Sequence, residues 1–304
     1  MISIWRELKR NKDHYLIALP GLVYFLIFCY LPMIGIIIAF KDFNVRDGLI
    51  GSPWVGFKNF EFFFTSDRAW VTTRNTLVLN GLFIAFGLLF QMGLAILLNE
   101  IKERLPKRLI QSMLFFPFFI SWIIVATLVQ NLFSTDYGVV NGILNALGMD
   151  DVRWYESPEY WVPVLVGVNL WKWTGYGIII YLATIVSIDG ELYEAAKIDG
   201  ANRYQQVRYI TMPFLAQTAV ILTLLAVGRI FYGDFGMIYA IIGDNGMLLE
   251  RTDVIDTYVF RALRTNGDFG MTTAVGLYQS LVGFVLVLLC NFIVRRVQKE
   301  NALF

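Results

Sequence analysis

Six stretches of this 304-residue chain, near 15–40, 76–98, 110–133, 162–186, 213–233 and 272–294, are long and apolar enough to cross a lipid bilayer. A helix needs about 20 predominantly apolar residues to span the hydrocarbon core. Inside lipid every backbone polar group must be satisfied by the protein itself, so continuous apolar runs of this kind can only be helices. Composition agrees: 57% of the residues are hydrophobic and 16% charged, against roughly 25% charged in a soluble domain. The expectation is an all-α integral membrane protein with six transmembrane helices. A net charge of +1 gives no push toward nucleic acid. Cys29 and Cys290 fall inside apolar runs and read as small buried hydrophobes. The first run is too long for a signal-peptide core and has no small-residue cleavage site, so it is expected to stay as a span.

Loop charges orient the spans. Arg6, Lys9, Arg10 and Lys12 precede the first run, and Lys102, Arg104, Lys107 and Arg108 lie between the second and third. Lys197, Arg203 and Arg208 follow the fourth, and Arg295, Arg296 and Lys299 follow the sixth. The 134–161 loop carries only Arg153 against several acids. The excess of basic residues on one side predicts cytoplasmic termini and a cytoplasmic loop between the fourth and fifth spans. The outer loop at 41–75, with Trp54, Phe57, Phe60, Phe62, Phe63 and Phe64 among charges, reads as an interfacial segment. The 234–271 loop, long and polar, suits a surface that meets a soluble partner. Arg229 and Asp234 make the end of the fifth run the least clean.

A polar island stands between the fourth and fifth runs, from Glu194 to Pro213. Asp189 can N-cap a short helix, and Gly200 suits the left-handed residue that ends one. Asn202 with Gln205 has capping-box spacing and starts a second short helix, while Pro213 fits the first turn of the next long one. The island reads as two short helices at the membrane face, offering carboxylates, amides and arginines to something outside the lipid.

Glu194-Ala195-Ala196, three residues, Gly200, nine residues, Ile210, one residue, Met212 and Pro213 resembles the cytoplasmic loop of bacterial ABC importer permeases. Met212 departs from the family's usual Leu. The resemblance covers essentially the whole chain. Ala39-Phe40-Lys41-Asp42-Phe43-Asn44 and Gly51-Ser52-Pro53-Trp54-Val55-Gly56 are similar to features of the oligosaccharide and polysaccharide branch. It implies a type I importer permease fold in the bacterial inner membrane. Residues 1–75 would form the N-terminal segment, first helix and outer loop, and 76–294 a five-helix core with a coupling loop at 187–213. Residues 295–304 would be a cytoplasmic tail. The implied partners are a second, homologous permease, two ATP-binding cassette subunits and an extracytoplasmic solute-binding protein. Glu194 would pair with a basic residue of the ATPase, Ala195 and Ala196 would permit close approach, and Asp199, Gly200, Ile210 and Pro213 would shape the loop. The implied solute is a sugar or oligosaccharide, with Lys172 and Arg229 leaving an acidic one open.

No Gly-Lys pair exists, so the chain has no phosphate-binding loop, and ATP with its magnesium would be used by the partner subunit. His14 is the sole histidine, which leaves no metal cluster and no histidine-based triad. No enzyme reading survives. Polar groups at membrane depth suggest a pathway: Asn169, Trp171, Lys172, Trp173 and Tyr176 in the fourth run, and Arg229, Tyr232 and Asp234 near the end of the fifth. The rings could stack on sugar faces while Asn169 and Lys172 bond hydroxyl or acidic groups. Alternatively, Lys172 snorkels outward between two belt tryptophans, and Arg229 pairs with Asp234. The competing classes are a secondary carrier or channel without an ATPase, and a non-transporting scaffold. Carriers often show paired repeats and broken helices, and neither is visible in the sequence.

Overall fold

Helices account for every regular element of the computed structural model, which describes residues 10–297 apart from the side chains at 62–64 and 297. Arg6, Lys9, Lys299, the rings of Phe62, Phe63 and Phe64, and tail residues 298–304 lie outside the described residues. The helices used below are α1 (Lys12–Phe40), α2 (Asp67–Glu100), α3 (Arg104–Phe119), α4 (Trp122–Leu132), α5 (Pro158–Ser187), α6 (Gly190–Ile198), α7 (Arg203–Val227), α8 (Phe235–Ile242), α9 (Ile255–Asn266) and α10 (Phe269–Val297). Four of them, α1, α2, α7 and α10, are individually long and apolar enough to span. The pairs α3–α4 and α5–α6 are bent by 99° and 65°, and the number of spans is six if each pair counts as one.

Two expectations about these helices need correction. The third apolar run is not one rod. Phe116–Phe119 tightens into a 3₁₀ turn around Pro117, and Ser121 then caps α4 by accepting from Ile124 N at 3.5 Å. Proline removes a helix donor and serine supplies a fresh start, so the chain turns sharply between them. The fifth helix, in turn, starts at Arg203 and ends at Val227. The second short helix expected at the membrane face, Arg203–Gln206, is present, but it runs through a π-turn straight into Met212–Val227, whose first turn holds Pro213 as expected. A π-turn at Val207–Thr211, closed by Met212 N donating to Val207 O, precedes the proline. Such a wide turn changes the ladder where Pro213 has no N–H to give.

The chain divides into two compact units, residues 1–65 with 262–278 and residues 66–261 with 279–304. In the first, Lys41 is buried, and its ammonium donates to Leu49 O at 2.7 Å and Ile50 O at 3.1 Å while lying over the Trp54 ring. Asn59 Nδ2 donates to Ala39 O and Lys41 O at 3.0 and 2.8 Å. The 39–44 and 51–56 motifs hold each other directly, through Asp42 N donating to Pro53 O at 3.0 Å, Val55 N donating to Phe40 O at 2.9 Å and Asn44 N donating to Ser52 Oγ at 3.1 Å.

The second unit is built on α2 and α5. One buried cluster joins Leu79, Val125, Trp161, Leu165, Met237 and Ile241 from α2, α4, α5 and α8. Another joins Ala95, Ile178, Tyr181, Leu182, Leu215 and Ala219 from α2, α5 and α7. Lipid is as apolar as leucine, so these clusters are held by close packing rather than by escape from water. Small residues permit that closeness: a Cβ at Gly283 of α10 would lie 2.6 Å from Gly228 O, just beyond α7.

Candidate functional site

Local chemistry builds the polar island as its caps direct. Asp189 accepts from Glu191 N at 3.0 Å to start α6. Gly200, at φ +81°, ends it, with Ala201 N donating back to Ala196 O at 2.8 Å. Asn202 and Gln205 exchange both capping-box bonds, at 2.7 and 2.9 Å, to start α7. The outer face carries Glu194, Ala195, Asp199 and Gly200 exposed, with Ala196 half-buried; farther along, Ile210 is half-buried and Pro213 exposed. Ile198 and Tyr204, 87% and 75% exposed, complete that face with apolar surface. They are additions to the residues read from sequence, and their signal was there: bulky apolar side chains in an otherwise polar stretch.

A cavity of about 760 Å³ is lined by Asn80, Asn169, Arg229, Tyr232, Asp234 and Ser280, among others. One wall is the non-helical segment 228–234, whose carbonyls would be costly orphans at membrane depth. Asn80 Nδ2 donates to Ile230 O and Tyr232 O at 2.7 and 2.9 Å, and Gln279 Nε2 to Phe231 O at 2.7 Å. Asp256 accepts from Gly233 N at 2.5 Å. Burial pushes the Asp256 carboxyl above the usual carboxylate range, and the bonds from Gly233 N and Gln279 oppose that rise. Asp234 is also engaged, capping α8 through Met237 N at 3.0 Å and accepting from the Trp173 indole. Tyr232 Oη bonds Ser280 Oγ at 2.6 Å. Arg229 is exposed and, among the described residues, forms no ion pair within 4 Å, so its guanidinium is not spent on Asp234.

Asn169, Arg229, Tyr232 and Asp234 therefore meet at one cavity; the other four pathway candidates do not line it. Lys172 is buried and neither snorkels nor faces the cavity: its ammonium donates to the carbonyls of Pro117, Phe118 and Ile120 and lies over Trp122. Trp173 is turned to Asp234, Tyr176 stacks on Phe118, and Trp171 lines a separate apolar groove with Phe90 and Met113.

The family model for the inner membrane component of binding-protein-dependent transport systems matches residues 84–299, well over half the chain. The chain belongs to this family. It is a multi-pass inner-membrane component of a transport system. Protein LplB of Bacillus subtilis is 38% identical over 300 residues, covering 99% of this chain and 94% of the relative. The polygalacturonan/rhamnogalacturonan transport system permease protein YteP of the same organism is 37% identical, covering 97% and 91%. Among solved structures, a bacterial ABC transporter involved in the import of the acidic polysaccharide alginate superimposes with a TM-score of 0.88 at 36% identity, covering 97% of this chain and 99% of that one. A second, of a bacterial alginate ABC transporter in complex with alginate pentasaccharide-bound periplasmic protein, gives 0.88 at 35% identity, covering 97% and 98%. The broken third span, a feature also found in secondary carriers, therefore does not separate the two classes; the family does.

Proposed function

We propose that this inner-membrane component is the permease subunit of an ATP-driven importer of an acidic oligosaccharide. An extracytoplasmic binding protein delivers the solute, and the chain passes it inward by alternating access beside a homologous permease. The observation that carries the acidic solute is Arg229, an exposed guanidinium with no ion-pair partner among the described residues, on a cavity large enough for sugar rings. A guanidinium binds a carboxylate bidentately, and Tyr232 offers a ring to a sugar face. The alginate and polygalacturonan relatives support the same solute class. The exposed face of α6 fits a cytosolic ATPase subunit, which would bind ATP and magnesium, since this chain has no phosphate-binding loop. The loop charges put that face and both termini in the cytoplasm.

The test is reconstitution in proteoliposomes with the second permease, ATPase and binding protein encoded beside this chain. An alginate or polygalacturonan oligosaccharide is expected to stimulate ATP hydrolysis and enter. Arg229→Gln should weaken that response about tenfold, the worth of one charge-assisted hydrogen bond. Glu194→Lys should abolish stimulation by placing a like charge against the ATPase. Saccharide entry without any ATPase would overturn the importer, and an unchanged response in Arg229→Gln would overturn the acidic contact.

A further inference from the structure

The bend between α5 and α6 is a two-residue covalent link, Ile188 and Asp189, whereas side chains tie α6 and the turn that follows it back to α7. Tyr193, half-buried on the inner face of α6, bonds Thr211 through their hydroxyls at 2.9 Å. Thr211 is 4% exposed and is the last residue of the π-turn of α7. Gln206, 3% exposed, donates from Nε2 to Ala201 O at 3.1 Å, gripping the residue just past the Gly200 turn. The two ties bracket the turn, one on each side of Gly200. The helix they hold, α7, runs on to Ala226 at the cavity wall, with Gly228 just beyond its end.

We infer that Tyr193 and Thr211 are positioning residues that fasten the ATPase-docking helix to α7, with Gln206 holding the connecting turn at Ala201, so that the helix's displacement enters α7 and moves the 228–234 wall. This inference rests on the docking role proposed for α6. Without the ties, α6 would swing about the Ile188–Asp189 link and ATP hydrolysis would proceed with little movement at the cavity.

The test is the number of ATP molecules hydrolysed per oligosaccharide imported, measured in the same proteoliposomes with an alginate oligosaccharide. Tyr193→Phe and Thr211→Val keep shape and remove one hydroxyl each. Each is expected to raise that ratio about fivefold, the factor corresponding to one lost hydrogen bond, while the ATPase still co-purifies in normal amount. Thr211→Ser keeps the hydroxyl and should restore the normal ratio, and the double variant should be no worse than either single one. A change in stability alone would lower the amount of complex but not the ratio per complex. An unchanged ratio in both variants, with Glu194→Lys still losing stimulation, overturns the fastening. If Glu194→Lys is also without effect, the docking role has failed instead.

Discussion

Replacing Lys172 by methionine is expected to destabilise the protein by about 3 kcal/mol and to abolish transport. The length and apolar stem of the side chain are kept, so the loss isolates the ammonium. The carbonyls of Phe118 and Ile120 lose the ammonium donor, and that of Pro117 keeps only its bond from Ile120 N at 3.2 Å, all at the point where α3 ends. Leaving buried acceptors unsatisfied costs roughly 1–3 kcal/mol for each group, reduced where they relax toward one another. The C-terminal carbonyls of a helix also carry partial negative charge, which a cation offsets. The same ammonium lies over Trp122, whose ring packs so closely on Gly236 that a Cβ there would sit 2.9 Å away. Loss of the cation therefore frees the 99° break and disturbs the contact of α4 with α8, next to the cavity residue Asp234. Unfolding in mixed micelles with increasing SDS measures the first effect and uptake in proteoliposomes the second. A methionine variant with wild-type stability and uptake would mean that the three carbonyls find other donors.

Gly175→Ala is expected to have an effect of similar size from a single methyl group. A Cβ at that position would lie 2.0 Å from Leu114 O and 2.7 Å from Phe115 Cα, which are backbone atoms of α3 that cannot turn aside as a side chain can. The helices must separate, and overpacking of this kind costs about 3 kcal/mol. Alanine is otherwise the better helix former by nearly 1 kcal/mol, so the sign of the result is informative. Gly167→Ala, in the same helix, is the control: nothing stands within 4 Å of its Cβ, and it should be neutral or slightly stabilising. The same SDS titration reads both. Equal behaviour of the two variants would sink the claim that α5 and α3 touch through backbone at Gly175.

Much of the site on α6 was legible because its signals are local. Asp189, Gly200 and the Asn202–Gln205 pair act over two to four residues, and each does in the structure what its type and spacing suggested. The extent of α7 was misread although the capping box announced its start. The charges of Arg203 and Arg208 hid a helix whose apolar part begins later, in the Met212–Val227 segment that carries Pro213 in its first turn as expected. The break between α3 and α4 had its own local marks in Pro117 and Ser121, outweighed by the apolar run around them.

The sequence by itself determined that the chain lives in a bilayer as helices, which loops are basic, and how the polar island caps its ends. Those outcomes depend on the mean hydropathy of a run or on hydrogen bonds closed within one turn. Tertiary structure alone decided what the polar residues inside the spans do. Lys172 finds its acceptors 52 to 55 positions away, and Asn80 supports carbonyls about 150 positions away. A buried donor is satisfied by whichever acceptor the packing of other helices brings to it, and no local pattern encodes that choice. Arg229 is thereby left as the cation on the cavity wall, while Lys172 became part of the frame.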